Sequence, residues 1–145
     1  MKRLFIIRKD LNMSSGKLAA QVGHCAEVYW MNILKLNATL KENSNEYISQ
    51  VAISKKVFEE YLSSTYTKVI CEAKSKNHIL KAKIIADTLG LIEGEQYGLI
   101  YDKCFTELTP EEEDGTTLTG IWFCPLPDEI AHKISKKYQL YKQSE

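Results

Sequence analysis

The chain of 145 residues contains 19 basic and 19 acidic residues, so its formal net charge is zero. Apolar residues make up 44% and charged residues 26%, a globular composition large enough to form a hydrophobic core. Zero net charge excludes a protein that coats nucleic acid by bulk charge. No apolar run reaches the ~18 residues of a membrane helix, and no secretion signal is recognised. We therefore expect a single cytoplasmic domain over residues 1–145.

The first strand and helix are indicated by their apolar patterns. Residues 4–7 are apolar without alternation, which predicts a short strand covered on both faces. A polar loop follows over residues 8–16. Apolar residues spaced three or four apart then predict an amphipathic helix from Lys17 to about Leu36.

The remainder alternates between strands and helices. Residues 37–45 predict a loop, and Ser54 is a candidate cap for a short helix. Gly90 suits the end of a helix, and Pro127 suits the first position of one. The patterns predict three more strands, at residues 67–73, 97–101 and 118–124. They also predict two more helices, at residues 75–89 and from residue 127 onward. This alternation predicts a layered α/β domain in which one of the last two strands, joined without a helix, is antiparallel.

Two predicted strand ends carry residues that suit a reaction site. Lys17 follows the loop after the first strand, and Asp102 comes directly after the third. In open α/β sheets, sites lie beyond the carboxyl ends of strands. If these strands are parallel neighbours, the carboxylate can hold the ammonium group and orient a water molecule. The alternative is a surface ion pair, worth at most about 1 kcal/mol.

The first helix also presents a polar face. Lys17, Gln21 and His24 are spaced at i, i+4 and i+7, so they share one side of the helix. Such a row can bind a polar substrate, or it can be an ordinary solvated face.

Charge is distributed unevenly along the chain. Basic residues are in excess over residues 1–17. Such a basic rim can steer phosphates toward the protein, and Arg8 and Lys9 are its candidate substrate-binding residues. Acidic residues are in excess over residues 103–114. The alternative interpretation of both segments is plain solvated charge.

The cysteines suggest one further chemistry. The four lie at positions 25, 71, 104 and 124, a spacing unlike that of zinc sites built from close pairs, so reduced thiols are expected. Cys104 lies two residues after Asp102 and is a candidate nucleophile with His24 as its base. Cysteine is also a common buried apolar residue.

Residues 8–26 read RKDLNMSSGKLAAQVGHCA. They resemble the signature R-x-D-L-x-M-x-x-G-K-x-A-A-Q-x-x-H-A of the type II peptidyl-tRNA hydrolases of archaea and eukaryotes. Further similarities follow in the same order and cover most of the chain except residues 37–66: Gly90-Leu91, Tyr101-Asp102, Thr106, residues 115–121, Pro125 and residues 127–130.

The resemblance implies a three-layer α/β/α sandwich around a four-stranded mixed sheet, often as a homodimer. It implies an esterase that hydrolyses the bond between a peptide and the 3′ ribose of tRNA, with peptidyl-tRNA as its partner and no cofactor or metal. Lys17 would stabilise the oxyanion, Asp102 would hold Lys17 and position or activate water, and Thr106 would hydrogen-bond with them. Gln21 and His24 match the family's functional glutamine and histidine.

The chain departs from the family pattern beside Asp102. The family segment D-A-G-R-T-Q is DKCFTE here, with Cys104 for glycine, Phe105 for arginine and Glu107 for glutamine. Acidic residues are also inserted at 111–114. We expect Glu107 and this acidic segment to place negative charge near the substrate entrance. Two alternative functions therefore stay open, a re-purposed member that binds another partner and a thiol hydrolase that uses Cys104.

Overall fold

The structure, a computed structural model, describes residues 1–143. Its helices α1 to α4 are, in chain order, Ser15–Leu36, Lys55–Val57, Lys76–Thr88 and Asp128–Ser135. A π-helical turn over Phe58–Leu62 directly continues α2. The strands are β1 to β7, in chain order: Arg3–Arg8, Ala38–Leu40, Tyr47–Ser49, Lys68–Ala73, Tyr97–Asp102, Thr117–Phe123 and Gln139–Leu140. No helix within residues 1–143 is long and apolar enough to cross a membrane.

The central sheet has five strands in the order β5-β6-β1-β4-β7. Only β1 and β4 are paired in parallel, and the other three pairings are antiparallel. The mixed sheet was expected, but its strand count of four is corrected to five, because the two-residue strand β7 pairs with Cys71 and Glu72. Such a short strand has no period that a sequence pattern can show.

Strands β1 and β5 run in the same direction, although they are not neighbours. Strand β6 lies between them and is antiparallel to both. Their carboxyl ends therefore lie at the same edge of the sheet. The residues that follow β1 and β5 were expected to be close because the strands would be neighbours, but one strand, β6, lies between them.

Helices cover both faces of the sheet, which makes three layers. Leu4 and Ile6 pack in one core with residues of α3 and α4. Phe5 and Ile7 pack on the other face, in a core that includes Cys25 of α1. All six residues of β1 are buried, which explains why its sequence is apolar without alternation.

Caps fix where the helices begin and end. The hydroxyl of Ser14 accepts a hydrogen bond from the backbone N–H of Lys17, so α1 starts at Ser15. Gly90 follows α3 with φ of +81°, as the sequence predicts for a C-terminal glycine. Pro127 precedes α4 as its N-cap, with an extended ψ of 145°, and so does not take the expected first helical position.

The segment expected to be a loop over residues 37–45 instead begins a small hairpin. Strand β2 pairs with β3 in a separate two-stranded sheet, and Asn43 turns the chain between them with φ of +55°. Each strand has only three residues, too few for a recognisable alternation.

One glycine is required by close packing inside the sheet. Gly98 of β5 faces Trp122 of β6 across the ladder. A Cβ atom at position 98 would lie 2.5 Å from the indole Nε1. The large buried tryptophan therefore fits only because its neighbour has no side chain.

Candidate active site

The structure brings Lys17, Asp102 and Thr106 together at the carboxyl edge of β5. Lys17 Nζ lies 2.8 Å from Asp102 Oδ1 and donates a 3.1 Å hydrogen bond to Thr106 Oγ1. The lysine and aspartate side chains are only 13% and 10% exposed. This burial distinguishes the pair from an ordinary surface ion pair, because solvent screens it less.

Gln21 belongs to the same group of hydrogen bonds. Its Nε2 donates to Asp102 Oδ1 at 3.2 Å, and its Oε1 accepts a 2.7 Å bond from the hydroxyl of Thr119 on β6. Gln21 and Thr119 are both fully buried. Because Thr119 donates to the amide oxygen, the amide NH₂ must point toward Asp102.

The electrostatics of the site favour an ionised Asp102. Burial raises the pKa of its carboxyl, but hydrogen bonds from Lys17 and from the backbone N–H of Cys104 outweigh burial. The pKa of Asp102 consequently lies below its usual value. The carboxylate is an acceptor at neutral pH, and its partners hold it in one orientation.

Cys104 takes a backbone conformation that suits glycine. Its φ is +61°, and its N–H donates a 2.8 Å bond to Asp102 Oδ2, which closes a turn around the carboxylate. The thiol lies 3.5 Å from the carbonyl oxygen of Asp102 and from Thr117 Oγ1. Within residues 1–143 no hydrogen bond joins Cys104 to a histidine, so the thiol-hydrolase interpretation gains no general base.

Glu107 lies beside the site, and its carboxylate is hydrogen-bonded to the residue that caps α1. Its two carboxylate oxygens accept hydrogen bonds from the backbone N–H of Ser14 at 2.9 Å and from its hydroxyl at 2.6 Å. These bonds from Ser14 lower the pKa of Glu107. Because both donors are neutral, Glu107 keeps its negative charge beside the site, and these bonds hold the carboxylate in one place.

Arg8 is also corrected, from a candidate substrate-binding residue to a buried one. Its side chain is 4% exposed and forms ion pairs with Asp10 at 2.7 Å and Glu111 at 2.5 Å. A third bond goes to the carbonyl of Leu118 at 3.1 Å. The hydrogen bonds that Arg8 donates to Asp10 and Glu111 outweigh burial and raise the pKa of Arg8. A guanidinium with these partners does not reach a substrate.

The acidic segment 111–114 folds back onto the protein. Glu111 binds Arg8, Glu112 binds Lys76, and Asp114 accepts bonds from the backbone N–H and hydroxyl of Thr116. The bond from Arg8 lowers the pKa of Glu111, and the bonds from Thr116 lower that of Asp114. Two of the four charges are thus paired with cations, and the expected repulsion of tRNA is correspondingly reduced.

The remaining candidates lie outside the hydrogen-bonded group. His24 is exposed on α1, further along the face that carries Lys17 and Gln21. The ammonium group of Lys9 lies 3.7 Å from Glu72 and over the ring of Tyr141.

Two residues of the site were missed by the sequence analysis, Thr119 and Ser14. A signal was present for Thr119, which is a polar residue within the buried strand β6, where an unpaired hydroxyl would be unfavourable. Within residues 1–143, no group of three histidine, cysteine or acidic side chains is arranged to hold a metal ion.

Comparison with known proteins places the chain in a family. The sequence model of the family described as peptidyl-tRNA hydrolase PTH2 matches residues 1–141. The chain belongs to this family. It is 27% identical over 139 residues to a peptidyl-tRNA hydrolase of Thermoplasma acidophilum. The matched residues make up 96% of this chain and 97% of the relative. The chain is 29% identical to relatives with the same name from Thermococcus sibiricus and Pyrobaculum aerophilum, over 96% and 98% of both chains.

Proposed function

We propose that this protein is a peptidyl-tRNA hydrolase, which uses water to cleave the ester between a peptide and the 3′ ribose of tRNA. The buried contact between Lys17 and Asp102, in a member of the PTH2 family, is the observation that carries this proposal. In the reaction, water oxygen bonds to the ester carbonyl carbon and the bond to the ribose oxygen breaks. A proton moves to that oxygen, which leaves as the free 3′ hydroxyl.

Lys17 stabilises the oxyanion that forms during water attack. An ammonium group has three N–H donors, and two are used by Asp102 and Thr106. The third remains available for the carbonyl oxygen of the substrate as negative charge develops on it. Because the side chains of Lys17 and Asp102 are only 13% and 10% exposed, this interaction is stronger than it would be in open water.

Asp102 orients the reacting groups and is a weak base. Its Oδ1 accepts from Lys17 and Gln21, while Oδ2 accepts from Cys104 and retains capacity to accept from a water molecule. General-base catalysis is most efficient when the pKa of the base is near the working pH. The lowered pKa of Asp102 therefore favours alignment of the water over full removal of its proton.

The proposal extends to the setting of the enzyme. Peptidyl-tRNA is its substrate, and residues 1–145 form one domain that acts in the cytoplasm, where peptidyl-tRNA is released by translation. A homodimer is a further expectation, which sedimentation equilibrium tests directly.

Release of peptide from an N-blocked aminoacyl-tRNA tests the proposed function. Lys17→Ala should lower kcat about a hundredfold or more, as loss of one oxyanion donor typically does. Asp102→Asn should cause a comparable loss, because the amide cannot hold the ammonium group as an ion pair. Lys35→Ala, near the other end of α1, is the matched control and should keep parent activity. Parent-level turnover by Lys17→Ala would refute the mechanism.

A further inference from the structure

A second concave surface lies on the opposite face of the sheet from α1. It is a cleft of about 540 Å³ between the start of α3 and the segment that follows α4. We call it the basic cleft, and its principal lining residues are Lys74, Lys81, Lys136, Lys137, His78 and Tyr138. None of these residues belongs to the site around Lys17.

The lysines of the basic cleft are not neutralised by neighbouring carboxylates. Within residues 1–143, none of the four has a carboxylate oxygen within 4.0 Å, whereas Lys17, Lys76 and Lys83 each do. The cleft contains one acidic residue, Glu72, which lies 3.7 Å from Lys9. Positive charge is therefore concentrated in a concave wall of a protein whose net charge is zero, and such walls focus the field on anions.

The cleft is held in shape by contacts between its two sides. The rings of His78 and Tyr138 stack with centroids 4.3 Å apart, and the Tyr138 hydroxyl donates a 2.6 Å bond to the His78 carbonyl. His78 Nδ1 in turn accepts from the backbone N–H of Lys74 at 3.0 Å. Burial first, and then the charges of Lys74 and Lys81, lower the pKa of His78. The positive charges of Lys74 and Lys81 thus act on the imidazole of His78.

The end of α4 explains only part of this charge. Lys136 and Lys137 follow the helix and suit the negative end of its dipole. Lys74 and Lys81 come from the other wall. Lys74 precedes α3, where the helix dipole disfavours a cation, and Lys81 lies in the second turn, beyond the reach of this end effect. Helix dipoles therefore do not account for the convergence of both pairs on one cleft, and the arrangement suits an anionic ligand.

The basic cleft and the site around Asp102 open at the same edge of the sheet. Strand β4, which leads into Lys74, runs in the same direction as β5, which ends at Asp102. Three inter-strand spacings separate these strands, a lateral distance of about 14 Å. Only a ligand much larger than an ester group can occupy both places at once.

We infer that the basic cleft binds the phosphodiester backbone of the tRNA body while the ester lies at Lys17. This inference rests on the proposed function, since that function supplies a polyanion attached to the ester. Lysine ammonium groups contact phosphates without reading bases, so the cleft contributes affinity and orientation for any tRNA sequence. Catalysis itself stays with Lys17 and its partners.

Binding of deacylated tRNA at several salt concentrations tests the cleft without any need for turnover. The variant is Lys81→Ala with Lys136→Ala and Lys137→Ala, three exposed positions at which the fold should be preserved. We expect Kd to rise about tenfold or more and the magnitude of the slope of log K against log salt to fall by about 2 to 3, the range for three lost phosphate contacts. Thermal melting verifies that the variant is folded.

The matched control carries Lys41→Ala, Lys55→Ala and Lys56→Ala. These exposed lysines follow the far end of α1, which is about 33 Å long, and their removal changes the net charge equally. The control should keep the parent affinity and salt slope. Equal weakening in both triple variants would overturn the inference, because bulk charge alone would then explain binding.

Kinetics separate the cleft from the catalytic proposal. With full-length peptidyl-tRNA, the cleft variant should show a raised KM and a nearly unchanged kcat. With a peptide esterified to a short 3′ oligonucleotide, which cannot span to the cleft, variant and parent should be equal. An equal loss on both substrates would contradict the inference. If the parent hydrolyses neither substrate, the proposed function fails, while the tRNA-binding comparison still decides for or against the cleft.

Discussion

Both oxygens of the Glu107 carboxylate are hydrogen-bonded to Ser14, one to the backbone N–H and one to the hydroxyl. Ser14 caps the helix that carries Lys17, and Glu107 directly follows Thr106. This contact therefore fixes the distance between Thr106 and Lys17. The carboxylate of Glu107, which keeps its negative charge, thus also positions two residues of the candidate site.

Removing this contact should affect kcat more than KM. We expect Glu107→Ala to lower kcat several-fold, because Thr106 and the start of α1 lose their common anchor. Glu107→Gln should keep most of the activity, since its amide oxygen still accepts from Ser14. Steady-state kinetics on N-blocked aminoacyl-tRNA measure both variants. Similar kcat values for the alanine variant and the parent would show that the anchor is not needed.

Cys104 should tolerate glycine better than a β-branched residue. A left-handed backbone costs a non-glycine residue about 1–2 kcal/mol, while glycine costs about 0.5–1 kcal/mol through the flexibility of the unfolded chain. We therefore expect Cys104→Gly to be at least as stable as the parent and Cys104→Val to be less stable, in urea unfolding. Both glycine and serine at position 104 should retain hydrolysis. Loss of activity in Cys104→Ser with an intact fold would restore the thiol mechanism.

The ion pair between Arg8 and Glu111 should matter for stability. Glu111→Gln leaves the buried guanidinium with one carboxylate partner, and because Glu111 is 39% exposed and screened by solvent, we expect a cost of only about 1 kcal/mol of unfolding free energy at neutral pH. Glu113→Gln is the matched control, because Glu113 is exposed and has no ion pair within residues 1–143. Urea unfolding at pH 7 compares them. Equal stability of the two variants would contradict a structural role for Glu111.

The same pair gives a definite pH dependence. The pKa of Glu111 is lower in the folded protein than in the unfolded chain, so its stabilisation is present above the unfolded pKa of about 4.3 and is lost as pH falls through the folded pKa. The difference in stability between the parent and Glu111→Gln should consequently be full at pH 7 and fade below about pH 4. A difference that grew with acidification would reverse the assigned sign.

Alanine at position 98 should disturb the sheet. The added methyl group would overlap the ring of Trp122, and overpacking of a core typically costs about 1–3 kcal/mol. Gly23→Ala is the opposite case, because that glycine lies inside α1 with open space around it and should gain about 1 kcal/mol. Thermal unfolding of the two variants should therefore shift in opposite directions. A stabilised Gly98→Ala would show that the tryptophan can move aside.

The fold was predictable wherever a pattern spanned several residues. The apolar run of β1 and the three-and-four spacing of α1 are long enough to identify each element. Strand β7 and the hairpin of β2 and β3 have two or three residues per strand, so backbone pairing decides them. The position of β6 between β1 and β5 depends on contacts between distant segments, which no local pattern contains.

The candidate site was predictable where chemistry and position coincided. Lys17 and Asp102 follow strand ends, and the structure places them 2.8 Å apart. Arg8 was assigned to substrate binding because it lies in a segment with an excess of basic charge, whereas its ion pair with Glu111 joins residues far apart in sequence. The family resemblance supplied Thr106, and the pairing of Glu107 with Ser14 could be found only in three dimensions.

The connection between β5 and β6 spans residues 103–116, although antiparallel neighbours can be joined by a two-residue turn. Its first part contributes Thr106 and its later part pairs with Arg8 and Lys76. The entropy of closing such a loop rises slowly with its length, so residues can be inserted without shifting the strands. Evolution can thus lengthen this one surface loop, while the sheet beneath it keeps Lys17 and Asp102 in place.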